Sequence, residues 1–109
     1  MAWKIKFFQT ARDESLVEDF IKNQDATTHA KILHLISLLK SNGPFLKPPY
    51  IKKLQPGLYE LRTRGKVAVR IFYTLMNNEY YLLHAFKKKS SKTPVKEIKI
   101  ALDRMRKLI

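Results

Sequence analysis

Apolar and polar positions alternate along residues 66–75: Val67, Val69, Ile71, Tyr73 and Leu75 share one parity, and Ala68, Arg70, Phe72 and Thr74 the other. Successive side chains of a strand point to opposite faces, so the first set reads as the core face and the second as an open one. Residues 57–64 divide in the same way, with Tyr59, Leu61 and Thr63 toward the core and Leu58, Glu60, Arg62 and Arg64 opposite. A two-residue loop would mismatch these faces, because a one-residue slip turns every side chain over. The pattern therefore selects a hairpin with a three-residue loop, Arg64-Gly65-Lys66, in which Arg62 opposes Ala68 and Glu60 opposes Arg70. Arg62 and Arg70 are then diagonal neighbours, roughly 7–8 Å apart.

Residues 3–9, "WKIKFFQ", read as a first strand. Thr10 with Asp13 resembles a capping box and opens a helix through about Gln24, with Leu16, Val17, Phe20 and Ile21 on one stripe. Asp25 caps a second helix in which Ile32, Leu35, Ile36 and Leu39 repeat at helical spacing, and Asn42-Gly43-Pro44 stops it. The proline-rich residues 43–53 read as a linker, followed by strands over about 54–63, 66–75 and 79–87, the last two joined at Asn77-Asn78. Thr93-Pro94 supplies an N-cap and a first-turn proline for a final helix with the stripe Val95, Ile98, Leu102, Met105 and Ile109. The order β-α-α-β-β-β-α predicts one α+β domain over residues 1–109, a mainly antiparallel four-stranded sheet with the helices packed on one face.

Charge changes the picture. There are 22 Lys and Arg against 9 Asp and Glu, a net of +13, and +12 of it falls in residues 47–109. Such an excess implies a polyanionic partner or site, or at least a long-range field that attracts one. The chain has no cysteine, which excludes disulfides, thiolate metal sites and a cysteine nucleophile. Neither an apolar leader nor a run of membrane-spanning length is present, so the expected setting is cytoplasmic, with no membrane partner.

On the open face of the hairpin two guanidinium groups converge near one carboxylate, an arrangement suited to an anion. A surface Glu60–Arg70 pair alone is worth about 0–1 kcal/mol and accounts for one arginine, not three. Arg64 and Lys66 in the loop, Lys52 and Lys53 at the hairpin entrance, and Lys89 and Lys92 after the last strand extend the basic rim, and Phe72 is placed to stack on a base. Lys87 and Lys88 follow the last strand directly. His29 and His34 are five apart, so they share no helical face as a metal pair would, and no HExxH or carboxylate-rich constellation occurs. No metal or other cofactor is expected. His84, in "LLHAF", reads as a core or edge histidine that could also carry a proton.

"LQPGLYELRTRGKVAVRIFY", followed by "YYLLHAFKKKSSKTPVKEIKIALDRM", resembles the RelE/ParE toxin superfamily, and more narrowly its HigB-like, phage-derived branch. The resemblance implies a RelE-like fold and a metal-independent endoribonuclease that cuts mRNA in the ribosomal A site through attack by the 2′-hydroxyl. It implies that Arg62, Arg70, Lys87 and Lys88 stabilise the transition state, with His84 or a lysine as proton donor and Glu60 as base or as orienter of Arg70. It also implies a cognate antitoxin carrying a helix-turn-helix. Val69 stands where relatives often have an aromatic residue, and no Tyr or His follows the lysine cluster. The ParE arm of the same fold inhibits DNA gyrase instead, and a non-catalytic RNA-binding module is the third reading.

Overall fold

Strands and helices follow the expected order with one strand more. A computed structural model describes residues 2–89 and 91–108. The elements are β1 (Lys4–Phe7), α1 (Leu16–Lys22), α2 (Ala26–Asn42), a short 3-10 turn (Gly43–Phe45), β2 (Ile51–Gln55), β3 (Leu58–Arg62), β4 (Val69–Met76), β5 (Glu79–Lys87) and α3 (Val95–Arg106). Their sheet has five strands in the order β1-β5-β4-β3-β2. β1 runs parallel to β5, and the other neighbours are antiparallel.

The extra strand comes from the stretch read as linker and from the start of the strand expected over 54–63. Pro56-Gly57 divides that strand: Gly57 takes φ +81°, a value that glycine adopts without steric cost, and the chain reverses there. β2 then pairs with β3 despite the prolines upstream, because those prolines lie before its first ladder residue, Ile51. The expected four-stranded sheet is thus corrected to a five-stranded mixed one.

The helices occupy both faces, not one. Val17 and Ile21 of α1 and Ile32, Leu35 and Leu39 of α2 pack on Leu61, Val69, Ile71, Tyr73, Tyr80, Leu82 and Ala85. Ala101, Ile98, Leu102 and Met105 of α3 cover Leu58, Phe72 and Leu83 on the opposite face. A β-bulge makes the second core possible. Phe72 pairs with His84 and Tyr73 with Leu82, so Leu83 is the additional residue and falls beside Phe72 although Leu82 faces the other way. Leu75, assigned to the core by parity, is 39% exposed near the end of β4.

Cap chemistry decides the helix starts. Asp25 accepts the Thr28 N–H at 2.7 Å, as expected for α2. Thr10 instead closes a turn, its hydroxyl accepting from the N–H groups of Arg12 and Glu14 at 3.3 and 3.1 Å. Asp13 sits at φ +60°, which ends any helix there. Ser15 is the cap that α1 uses. Gly43 ends α2 at φ +55°, and an added Cβ would stand 2.3 Å from Trp3 Nε1, so both backbone and packing require glycine. Asn77 and Asn78, both at positive φ, make the β4–β5 turn as expected. Ile109 lies outside the described residues. Among the described residues no helix is long and apolar enough to cross a membrane.

Candidate functional site

β3 and β4 place Arg62 directly opposite Arg70, two residues from the expected register. Thr63 N–H donates to Val69 O at 3.1 Å, so the pairing continues one step past β3 and leaves a five-residue loop, 64–68. That loop is longer than expected but still odd, and the faces therefore hold. Because Thr63 and Val69 are the hydrogen-bonded pair, Arg62 and Arg70 form the closer, non-bonded type, with Cα atoms about 4.5 Å apart. Like charges in that position repel.

Glu60 lies between them. Its Oε1 is 3.4 Å from Arg62 Nε and 3.6 Å from Arg70 Nε, and its side chain is 1% exposed. The contacts bring charges together without hydrogen-bond alignment, and no described protein group hydrogen-bonds Glu60 Oε1 or Arg70 Nε. Thr93 Oγ1 donates to Glu60 Oε2 at 3.4 Å. Thr93 thus serves the carboxylate, while Pro94 occupies the cap position of α3 without a side-chain cap bond. Arg70 is held from its other side, donating through Nη1 to Thr63 O at 3.3 Å and Val69 O at 3.1 Å. Burial lowers the Arg70 pKa, Glu60 opposes that, and neighbouring Arg62 adds to it. An arginine stays charged regardless.

The lysine pair after the hairpin divides between faces. Lys87 pairs with Val69 on the side of α1 and α2, and its charge is among those that lower Asp25. Lys88 N–H donates to Ala68 O at 2.7 Å, one step further out. Its ammonium is lowered by burial first and then by Arg70, with Arg62 and Lys52 adding and Glu60 opposing. Lys88 therefore belongs to the arginine group. Lys52 is in register with Glu60 on the same face, whereas Lys53 pairs with Tyr59 and points to the other. Arg64, Lys66, Lys89 and Lys92 are exposed in the loops.

Two expectations for this face are corrected. Phe72 is fully buried under α3 and cannot stack on a base. Glu60 is likewise buried rather than displayed. His84 is a brace between sheet and helix: its Nε2 lies 2.9 Å from Glu97 Oε2 and its Nδ1 3.4 Å from Arg104 Nη1. Arg104 also donates to Leu83 O at 2.8 Å, the carbonyl of the bulge residue. Burial lowers the His84 pKa, Glu97 opposes and Arg104 adds. A donor at Nδ1 fits the neutral tautomer with its proton on Nε2, directed at Glu97.

A depression of about 390 Å³ opens beside the arginines, lined by Pro49, Ala68, Arg70 and residues 62–65. A larger depression, about 750 Å³, lies between the segment after β1 and α3 and is lined by neither Arg62 nor Arg70. Its size carries no chemical signal comparable to converging guanidinium groups. Thr63 and Thr93 escaped sequence reasoning as site residues; a threonine next to a glycine-containing loop is a known competitor for backbone bonds, and that signal was available for Thr63.

A family model described as Phage derived protein Gp49-like (DUF891) matches residues 19–106, from the middle of α1 to the end of α3. No curated protein matches the chain.

Proposed function

The chain belongs to the Gp49-like family of phage-derived, toxin-like proteins, and from that premise we propose that it is the toxin of a toxin–antitoxin pair acting as a metal-independent endoribonuclease on mRNA. One observation carries the reading: Arg62 and Arg70 face each other on one side of the sheet with Lys88 beside them, at a depression open to solvent. In the proposed reaction the 2′-hydroxyl gives up its proton to solvent as its oxygen attacks the adjacent phosphorus, and the bond to the 5′-oxygen breaks, leaving a cyclic phosphate and, once that oxygen is protonated, a 5′-hydroxyl. Negative charge gathers on the phosphorane oxygens, where fixed guanidinium groups stabilise it more than they stabilise the diester.

Lys88 is the proton donor that fits the leaving oxygen, since a lowered ammonium pKa lies nearer the working pH. Glu60, buried and bonded by Thr93, suits the orienting of both arginines better than the removal of a proton from substrate. Cleavage in the ribosomal A site and membership of the HigB-like branch rest on the resemblance. The proposed partner is an antitoxin whose acidic or helical segment covers the arginine face, with a helix-turn-helix of its own. A co-purified partner that left Arg62 and Arg70 accessible to solvent would contradict that account of neutralisation.

Mapping RNA 5′ ends in cells expressing the wild type or Arg70→Ala tests the nuclease. New ends should appear in the wild type and fall about 100- to 1000-fold in the variant. Equal, low cleavage in both would refute it. The burial of Glu60 and the bracing of His84 favour a second reading, RNA binding without cleavage, which predicts steep salt dependence but no new ends. DNA damage signalling with intact messages would instead indicate the gyrase-directed activity.

A further inference from the structure

We infer that a nucleobase-binding subsite lies next to the arginine pair, built on Tyr50 and Leu35, and that it takes the base adjoining the phosphate held by Arg62 and Arg70. The inference rests on the RNA-directed reading of that pair. A second depression, of about 540 Å³, shares residues 62–65 with the arginine pocket and is otherwise lined by Ala30, Lys31, His34, Leu35 and Tyr50. The two depressions therefore lie on either side of one short wall of chain.

Tyr50 is 41% exposed, an aromatic ring on the surface beside the buried Leu35. A ring beside a cationic groove is what sequence-tolerant stacking of single-stranded nucleic acid requires. The backbone ties this ring to the arginine, because Arg62 N–H donates to Tyr50 O at 2.9 Å. Lys31 is fixed at the rim: its Nζ donates to Arg64 O at 3.1 Å, and a Cβ on Gly65, at φ +112°, would come within 2.6 Å of that ammonium. Gly65 thus lets the wall approach the lysine closely. None of the lining residues is acidic, and Lys31, Arg62 and Arg64 are cationic. The occupant that fits is flat, apolar on its faces and joined to an anion one backbone step away. His34 and Lys31 are the groups available to read the edge of the base.

The test is binding of a labelled single-stranded RNA heptamer with 2′-O-methylribose at every position, so that no 2′-hydroxyl is free to attack and the strand cannot be cut, in which one abasic site is scanned along the strand. For the wild type, one abasic position should weaken binding on the order of 10-fold. Tyr50→Ala should weaken the intact heptamer by a similar factor and remove the penalty at that position, while Tyr50→Trp retains it. Arg70→Ala should weaken all the oligonucleotides alike. Thermal melts confirm that each variant is folded. A positional penalty that persists in Tyr50→Ala overturns the subsite, whether or not the wild type cuts RNA. Loss of antitoxin binding in Tyr50→Ala with unchanged binding of the heptamer overturns it in favour of a protein-docking groove. If the positional penalty depends on Tyr50 but no RNA ends form in cells, the subsite stands and the nuclease falls. No binding of the heptamer by the wild type overturns the subsite, and the nuclease is then decided by the RNA ends alone.

Discussion

Thr63 gives its carbonyl to Arg70 and puts its own hydroxyl into the sheet in exchange. Val69 N–H donates to Thr63 Oγ1 at 2.8 Å, and the carbonyl freed by that substitution accepts from Arg70 Nη1 at 3.3 Å. The hydroxyl proton goes to Val67 O at 3.2 Å, inside the loop. One side chain thereby ends the ladder, shapes the loop and seats the guanidinium.

Thr63→Val keeps the shape and removes the hydroxyl, so either Val69 N–H goes unbonded or the ladder reclaims the carbonyl and releases Arg70. The expected cost is about 1–3 kcal/mol in urea unfolding. Thr63→Ser should restore most of it. RNA cleavage should follow the same order, with a loss in kcat for the valine variant. Equal stability of Thr63→Val and Thr63→Ser would show that the hydroxyl plays no such part.

Glu60 holds apart two like charges that directly face each other across β3 and β4. Glu60→Gln removes the compensating charge while keeping the volume. Breaking a buried charge group by deleting one member typically costs about 3–5 kcal/mol. Arg62 is one-third exposed, so water screens part of its repulsion, and the expected loss lies at the lower end. Adding Arg62→Gln to Glu60→Gln should recover part of the loss. Strict additivity in a double-mutant cycle would count against the coupling.

Lys87 and Lys88 are adjacent in sequence but serve opposite faces. Lys88→Ala should lower RNA cleavage by about 100-fold, in the range seen when one donor to a developing oxyanion is removed. Lys87→Ala, at the position paired with Val69 on the face of α1 and α2, should leave cleavage within a few-fold of wild type. Equal losses in both variants would mean that strand parity does not govern which lysine meets the phosphate.

Alternation made the hairpin faces legible, and Arg62 and Arg70 fall on one side as the sequence implies. Register was not legible, because a loop of three or five residues satisfies the same parity, and the chain takes the longer one, with the Thr63 hydroxyl bonded to Val67 O and Val69 N–H. The placement of α3 was misread for a related reason. Leu58 and Phe72 alternate with charged residues and look like isolated apolar positions, and their third partner, Leu83, joins them only through a bulge that period-2 counting does not register. Phe72 consequently passed for a surface aromatic when it is the centre of a second core. The family match adds the chain's kinship, but not the geometry that separates Lys87 from Lys88.

His84 should make folding stability depend on pH in a defined window. Burial holds its folded-state pKa below the ordinary value of about 6.5, with Glu97 opposing the shift and Arg104 adding to it. Above about pH 6.5 the imidazole is neutral in folded and unfolded chains alike, and its contribution is fully present. As the pH falls, the unfolded chain takes up a proton that the folded one refuses, so stability declines until the folded pKa is passed. The slope of that decline is at most about 1.4 kcal/mol per pH unit for a single proton. His84→Gln keeps a donor for Glu97 and an acceptor for Arg104 but does not titrate. Urea unfolding followed at successive pH values between about 7.5 and 5.5, above the main carboxylate range, should give the wild type a steeper loss than the variant. Parallel pH profiles for the two proteins would show that the imidazole titrates alike in both states, and the brace between β5 and α3 would then owe nothing to its neutral form.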